Sequence, residues 1–299
     1  MTNPGFDLPL RGIFLYVSQV LCFLTIGGLV KELAPYFQIT ELLLVRFVFS
    51  LAILIPAIQH KGGFGLLKTG YPLDHVIRTS CGMAALGCSF VAISGALLAD
   101  ATAVILSSPI FAVVLAFVVL SEKLSWSRGF AVIVGFIGIL MIVRPGFGTS
   151  NPALYVALGS AIFFSFVMVW LRKLNRTEHP LCISFYYNLC GTTVFVLWTV
   201  AMGFSLTWIN EPKLLGLILL LGVIGAVQQI LLSYSFRYAD ASLLAPFDYL
   251  SLPFALIAGF IFWHEMPDWL SLMGASTIVG CGILLMTQEF RSSRTASSS

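Results

Sequence analysis

Three features of the sequence predict an all-α integral membrane protein, ten transmembrane helices arranged as two inverted five-helix repeats. They are an extreme apolar composition, a succession of ten apolar runs, and a pattern in the first half that returns in the second. Of 299 residues, 59% are hydrophobic and 10% charged, whereas a soluble domain carries about 25% charged residues. No soluble fold hides that much apolar surface. A helix needs roughly 20 residues to cross a hydrocarbon layer about 30 Å thick.

The apolar runs fall at residues 12–30, 40–58, 76–98, 101–120, 129–143, 153–171, 181–202, 214–236, 241–262 and 270–286. The fifth and tenth are short, and the breaks at Asp100 and Asp240 are tight turns. The residues before the first run include Asp7, Pro4 and Pro9 and lack the basic region of a cleaved leader, so the first span is expected to be retained. The Ser-rich end, residues 288–299, reads as a disordered cytoplasmic tail. Cys22, Cys81, Cys88, Cys182, Cys190 and Cys281 lie in or beside apolar runs without a CxxC pair, as small buried residues do.

Lysine and arginine concentrate in cytoplasmic loops. With the N-terminus inside, twelve fall on the cytoplasmic side (Arg11, Lys61, Lys68, Arg78, Lys123, Arg128, Arg172, Lys173, Arg176, Arg237, Arg291 and Arg294) and three on the other (Lys31, Arg144 and Lys213). Arg46 lies inside the second run. Both termini are therefore expected in the cytoplasm. The loops are too short for a soluble domain, and no basic stripe offers a nucleic-acid surface.

The repeat begins with Asp100-Ala101 and Asp240-Ala241, 140 residues apart. Phe111-Ala112 and Phe254-Ala255, Glu122 and Glu265, and Trp126 and Trp269 follow at 143, then Gly138-Ile139-Leu140 and Gly282-Ile283-Leu284 at 144. Two small indels reconcile the register. Five spans are an odd number, so a second copy enters the membrane from the opposite side. The repeats are drawn at residues 1–146 and 153–287.

Two stretches carry a family resemblance. Residues 97–146, LLADATAVILSSPIFAVVLAFVVLSEKLSWSRGFAVIVGFIGILMIVRPG, resemble the first-half signature of EamA-type members of the drug/metabolite transporter superfamily. The stretch YADASLLAPFDYLSLPFALIAGFIFWHEMPDWLSLMGASTIVGCGILL resembles the second-half signature, with His264-Glu265 where Gly-Glu is usual. ITELLLVRFVFS (39–50) and PLDHVIRTSCG (72–82) look like the branch of riboflavin and S-adenosylmethionine uptake carriers. The resemblance implies a multi-pass carrier of the bacterial inner membrane, working by alternating access without metal, ATP or other cofactor. Its partners would be a small-molecule solute and membrane lipid, with no nucleic acid, as a monomer or a homodimer.

Ionisable residues inside a membrane face a cavity or a partner, since even the lenient scale sets about 2.5 to 3.5 kcal/mol against them. Arg46 lies about 9 Å below one face and Asp248 about 10 Å from the other, too far apart vertically for a direct salt bridge. Gln19, Asn188, Gln229 and Asp248 share a depth in the cytoplasmic third, with Tyr186, Tyr187, Phe247 and Tyr249 near that level. Amides that orient a solute and aromatic faces that stack on a planar one would suit a binding cavity. Arg46, Ser107 and Ser108 form an outer group. The candidate substrate-binding set is Gln19, Arg46, Ser107, Tyr187, Asn188, Gln229, Asp248 and Tyr249. The alternatives stand beside it: intramembrane amides also bridge helices, and Arg46 can snorkel outward. Asp100 and Asp240 are expected to cap the helices that follow, with the same reading for Glu122 and Glu265. Pro109, Pro246 and Pro253 are expected to bend the fourth and ninth spans.

An intramembrane enzyme is disfavoured, because His60, His75, His179 and His264 fall in loops or at edges and supply no base within a span. The Gly-rich stretch 62–70 places Leu67, where a phosphate-binding loop needs glycine, before Lys68-Thr69. The leading expectation for cargo is a planar polar metabolite of the riboflavin or adenosyl type, taken up. Efflux of amino acids or related metabolites is the competing one.

Overall fold

The computed structural model describes residues 9–61, 63–120, 126–145, 151–174, 177–203, 211–238 and 244–297. Among them every regular element is helical. The first half comprises α1 (Pro9–Leu33), α2 (Ile39–Lys61), α3 (Pro72–Gly95), α4 (Leu98–Ile105), α5 (Ser108–Leu120) and α6 (Trp126–Val143). The second comprises α7 (Pro152–Leu174), α8 (Pro180–Met202), α9 (Pro212–Tyr238), a 3-10 turn over Ala245–Leu250, α10 (Ser251–Trp263) and α11 (Trp269–Ser297). Proline opens α1, α3, α7, α8 and α9. Its fixed φ suits the first helical position, where the missing N–H has no partner to lose.

Eight stretches are long and apolar enough to cross a membrane, and Gly129–Val143 and Trp269–Leu285 are shorter apolar helices. These ten correspond to the predicted spans, the two short ones included. Large apolar side chains project outward from them, among them Phe130, Val200, Phe260 and Phe262. Such a coat suits lipid and no aqueous surface.

Inversion is legible in the packing. α3 lies along α7, and α1 lies along α9. These are equivalent pairs if the third span of one half matches the eighth of the whole and the sixth matches the first. α2 meets α8, α4 meets α10 and α6 meets α11, so each of these helices contacts its own counterpart. A single pseudo-two-fold axis accounts for all five pairings. Where α6 crosses α11, Gly138 and Gly274 touch: a Cβ on either would stand 2.9 or 2.6 Å from the other's carbonyl oxygen. Only glycine lets the two backbones meet so closely. Among the described residues the two largest apolar clusters lie around α4, α6, α10 and α11 and around α1, α2, α3 and α9.

The fourth and ninth spans depart from the continuous helices expected. The fourth breaks at Leu106 and Ser107, just ahead of Pro109, into α4 and α5. In the ninth, Leu244 is helical, the 3-10 turn that contains Pro246 follows it, and α10 begins at Ser251. Proline cannot donate to the carbonyl four residues back, and here the helix is interrupted at the position where a bend was expected. Pro253 lies in the first turn of α10, where it disturbs no bond. Asp100 stands in the first turn of α4 without a capping bond, which corrects its expected role. Glu122 and the Asp240-Ala241 pair lie outside the described residues. α11 stays helical through Ser297, into the tail expected to be disordered. Extending an existing helix fixes one residue per new hydrogen bond and needs no fresh nucleus.

Candidate functional site

Helices α1, α2 and α9 bring a chain of buried polar side chains into the interior. The Arg46 Nη2 donates to Gln228 Oε1 at 3.0 Å, and the Gln228 Nε2 donates to Gln19 Oε1 at 3.1 Å. All three are buried. The stem of Arg46 runs over Gly225, where a Cβ would come within 2.9 Å of Arg46 Cγ. Arg46 thus points into the bundle and does not snorkel.

Tyr187 on α8 forms the next surface. Its ring meets the edge of Phe47 with centroids 5.1 Å apart, and its hydroxyl donates to the Gly82 carbonyl at 3.4 Å. The Arg46 guanidinium also meets that hydroxyl. Arg78 of α3 lies with Cζ 4.1 Å from the centre of the Tyr187 ring, a cation–π contact. Arg78 was expected among the cytoplasmic loop cations. It is a buried residue of α3, which leaves eleven of the twelve loop cations expected on that side.

Asp248 sits in the 3-10 turn of the ninth span, ahead of α10. The Tyr16 hydroxyl donates to both of its carboxylate oxygens, at 2.9 and 3.0 Å. Asp248 and Arg46 form no ion pair, as their depths predicted. Phe247 packs with Tyr16, Val20 and Leu244 beside them.

The remaining candidates divide. Asn188 donates to the Ser184 carbonyl of its own helix at 2.8 Å, and Gln229 donates to the Ser184 hydroxyl at 2.9 Å, so these two amides meet at one serine. Tyr249 is turned onto α11, where its hydroxyl occupies the space that a Cβ at Gly282 would need. Ser107 donates to the Val104 carbonyl at 2.6 Å within the broken fourth span. The structure therefore joins Gln19, Arg46 and Tyr187, pairs Asn188 with Gln229, gives Asp248 to Tyr16, and leaves Ser107 and Tyr249 in separate packing positions. Depth along the sequence missed Gln228 and Tyr16, and Arg78 was masked by its position near a span edge.

On the face opposite the termini, the halves are tied by charge. Lys31 pairs with Glu265 and donates to the Ala96 carbonyl at 2.7 Å, at the end of α3. Glu265 accepts from the Leu98 backbone N–H at 2.8 Å, at the start of α4. Capping was the role expected of Glu265, and it is exercised on a helix of the other half. Alongside, Arg144 pairs with Asp268, and Ser271 donates to Asp100 at 3.3 Å. These groups, with Asn151, line a cavity of about 250 Å³. Hydrogen bonding to Arg144 holds the Asp268 carboxyl down to about 2.

The profile of the EamA-like transporter family matches residues 10–144 and again 151–288. The chain is 30% identical to the pseudopaline exporter CntI of Pseudomonas aeruginosa, over 93% of this chain and 97% of that one. It is 28% identical to the S-adenosylmethionine uptake transporter of Rickettsia prowazekii, over 97% of each. Identity to the riboflavin transporter of Brucella anthropi is also 28%, over 84% of this chain and 89% of that one. One solved crystal structure superposes with a TM-score of 0.62 at 18% identity, covering 91% of this chain and 94% of that one, which supports the fold. Ten apolar helices in two inverted halves, each half matched by one family profile, make the chain a member of the EamA-like transporter family, a multi-pass membrane transporter and not an enzyme.

Proposed function

We propose that this protein is a secondary transporter that moves a small organic metabolite across a bacterial inner membrane by alternating access. In this reading both termini are cytoplasmic, the repeats span residues 1–146 and 153–287, and the solute binds between them. The observation that carries it is the Arg46–Gln228–Gln19 chain, because it draws α1 and α2 of one half and α9 of the other into one buried polar centre. Three buried polar groups among apolar helices are costly unless they serve a cavity or each other. Breaks in the fourth and ninth spans, equivalent in the two halves, supply backbone that can move around such a centre.

For cargo, the aromatic and amide groups around Tyr187 favour a planar polar metabolite of the adenosyl or riboflavin type, taken up, in keeping with two of the relatives. Efflux of amino acids or related metabolites is the second reading, favoured by the similarity to an exporter. Protein reconstituted into liposomes should accumulate labelled S-adenosylmethionine or riboflavin with saturation and counter-exchange. Saturable counter-exchange of amino acids alone would move the assignment to the second reading. Flux at channel rates would exclude a carrier.

A further inference from the structure

Arg46 and Arg78 are 5% and 9% exposed, and among the described residues neither has a carboxylate within ion-pairing distance. Both converge on one side chain, Tyr187. The donors are not used up: Arg46 Nε and Arg78 Nε and Nη1 have no hydrogen-bond partner among the described residues. Burying one guanidinium calls for an opposing charge, and burying two side by side calls for it more strongly, because they also repel each other.

The surroundings are shaped to keep them inside. Arg78 lies six residues into α3, about 9 Å along the helix, yet its head turns onto an aromatic face and not out to water. Glycines clear the space. A Cβ at Gly82 would stand 2.9 Å from the Tyr187 ring and 3.5 Å from Arg78 Nη1, and one at Gly225 would press on the Arg46 stem. Each arginine comes from a different span of the first half, while Tyr187 and Gln228 come from the second.

We propose that Arg46 and Arg78, set against Tyr187, form the receptor for an oxyanion group, carboxylate or phosphate, carried by the transported solute. This rests on the transporter reading above and narrows its substrate class. A guanidinium offers a planar fork of donors that matches such a group two bonds at a time, which a lysine would not. The arriving anion supplies countercharge that the described residues do not, so the centre is closer to neutral when loaded.

The test uses full-length protein in lipid nanodiscs and two probe pairs matched except for the oxyanion. S-adenosylmethionine is compared with its decarboxylated form, and flavin mononucleotide with riboflavin; acetate and inorganic phosphate are titrated alone. Binding is read by calorimetry and thermal shift. The oxyanion-bearing member of at least one pair should bind about tenfold tighter than its mate, the first pair reporting carboxylate and the second phosphate. Arg46→Gln and Arg78→Gln should each bring that ratio close to one. Arg78→Gln should leave the ligand-free protein at least as stable as wild type, since it removes a buried charge; should it fail to fold, Arg78→Lys, which keeps charge but loses the fork, should still cut the ratio several-fold. Equal binding within both pairs, failure of every oxyanion probe to bind at millimolar concentration, or ratios unchanged by the arginine variants overturns the proposal. Binding needs no transport. A protein that discriminates oxyanions but shows no saturable flux keeps this inference and loses the transporter mechanism, and the reverse outcome removes this inference alone.

Discussion

Tyr16 is the only side chain among the described residues that donates to the Asp248 carboxylate, and it reaches both oxygens, at 2.9 and 3.0 Å. At a pH where Asp248 is ionised, one hydroxyl shared between its two oxygens is a single charge-assisted bond, contributing about 1.5 to 3 kcal/mol. Tyr16→Phe removes the donor, leaves the ring in place, and strands the carboxylate, so its cost should fall in that range. Asp248→Asn keeps a carbonyl acceptor but removes the charge, and a neutral bond contributes about 1 kcal/mol. Tyr16→Phe made on top of Asp248→Asn should therefore cost only about 1 kcal/mol. The coupling energy from the double-mutant cycle should be about 1 kcal/mol and favourable. Reversible unfolding in mixed micelles, followed by tryptophan fluorescence, measures all four corners. Equal costs for Tyr16→Phe in both backgrounds would show that the hydroxyl is not anchored by the charge. In liposomes, Asp248→Asn should insert normally and transport poorly, and wild-type kinetics would reduce Asp248 to a packing role.

Glu265→Ala should destabilise the protein by about 3 kcal/mol, since it breaks a mostly buried ion pair with Lys31 and uncaps α4; a loss below 1 kcal/mol in the same unfolding assay would contradict that geometry. His264 ends α10 at φ 54°, in the left-handed region, and its side chain is exposed. His264→Gly should therefore raise stability by about 1 kcal/mol, and a fall would show that the imidazole contributes there. Gly282→Ala places a Cβ in the space of the Tyr249 hydroxyl and should cost about 1 to 3 kcal/mol by overpacking; an unchanged melting temperature would mean that Tyr249 has room to leave. Arg144 lowers Asp268 from 3.8 to about 2, so the pair is fully formed above the ordinary aspartate value and is lost as pH falls through about 2. The melting difference between wild type and Asp268→Asn should stay flat from about pH 8 to about pH 5, and a slope in that window would place the titrating group elsewhere.

Hydropathy was enough to find ten spans because each must satisfy its own backbone, which leaves long apolar runs in the sequence. Glu265 and Trp269 betrayed the repeat because polar and aromatic residues at a loop stand out against an apolar background. The site was only half legible. Counting along a helix gives depth but not the direction a side chain faces, and Gln228 and Gln229 show the difference. They are neighbours at nearly one depth, about 100° apart around α9. Gln228 faces Arg46 and Gln19, while Gln229 faces Ser184. Arg78 was hidden by the rule that reads cations near a span edge as loop residues, a rule blind to an aromatic ring and a glycine waiting on the inner side. The broken fourth and ninth spans were foreshadowed by their prolines, but whether a proline bends or interrupts a helix depends on neighbours that one sequence does not show.

Lys31 and Glu265 serve two offices with the same side chains. As an ion pair they hold one half against the other, and as caps they complete the end of α3 and the beginning of α4. Drawing the halves apart on that face would free the Leu98 N–H at the same moment as it separates the charges, while Lys31 would keep the Ala96 carbonyl of its own half. Under the proposed alternating access, the ease of opening at this point would be tied to how firmly α4 holds its start. Variants that open more readily should carry frayed helix ends, visible as faster amide exchange at the α3–α4 junction. If the transporter works by the proposed alternating access, folding and gating at this junction would draw on the same interaction.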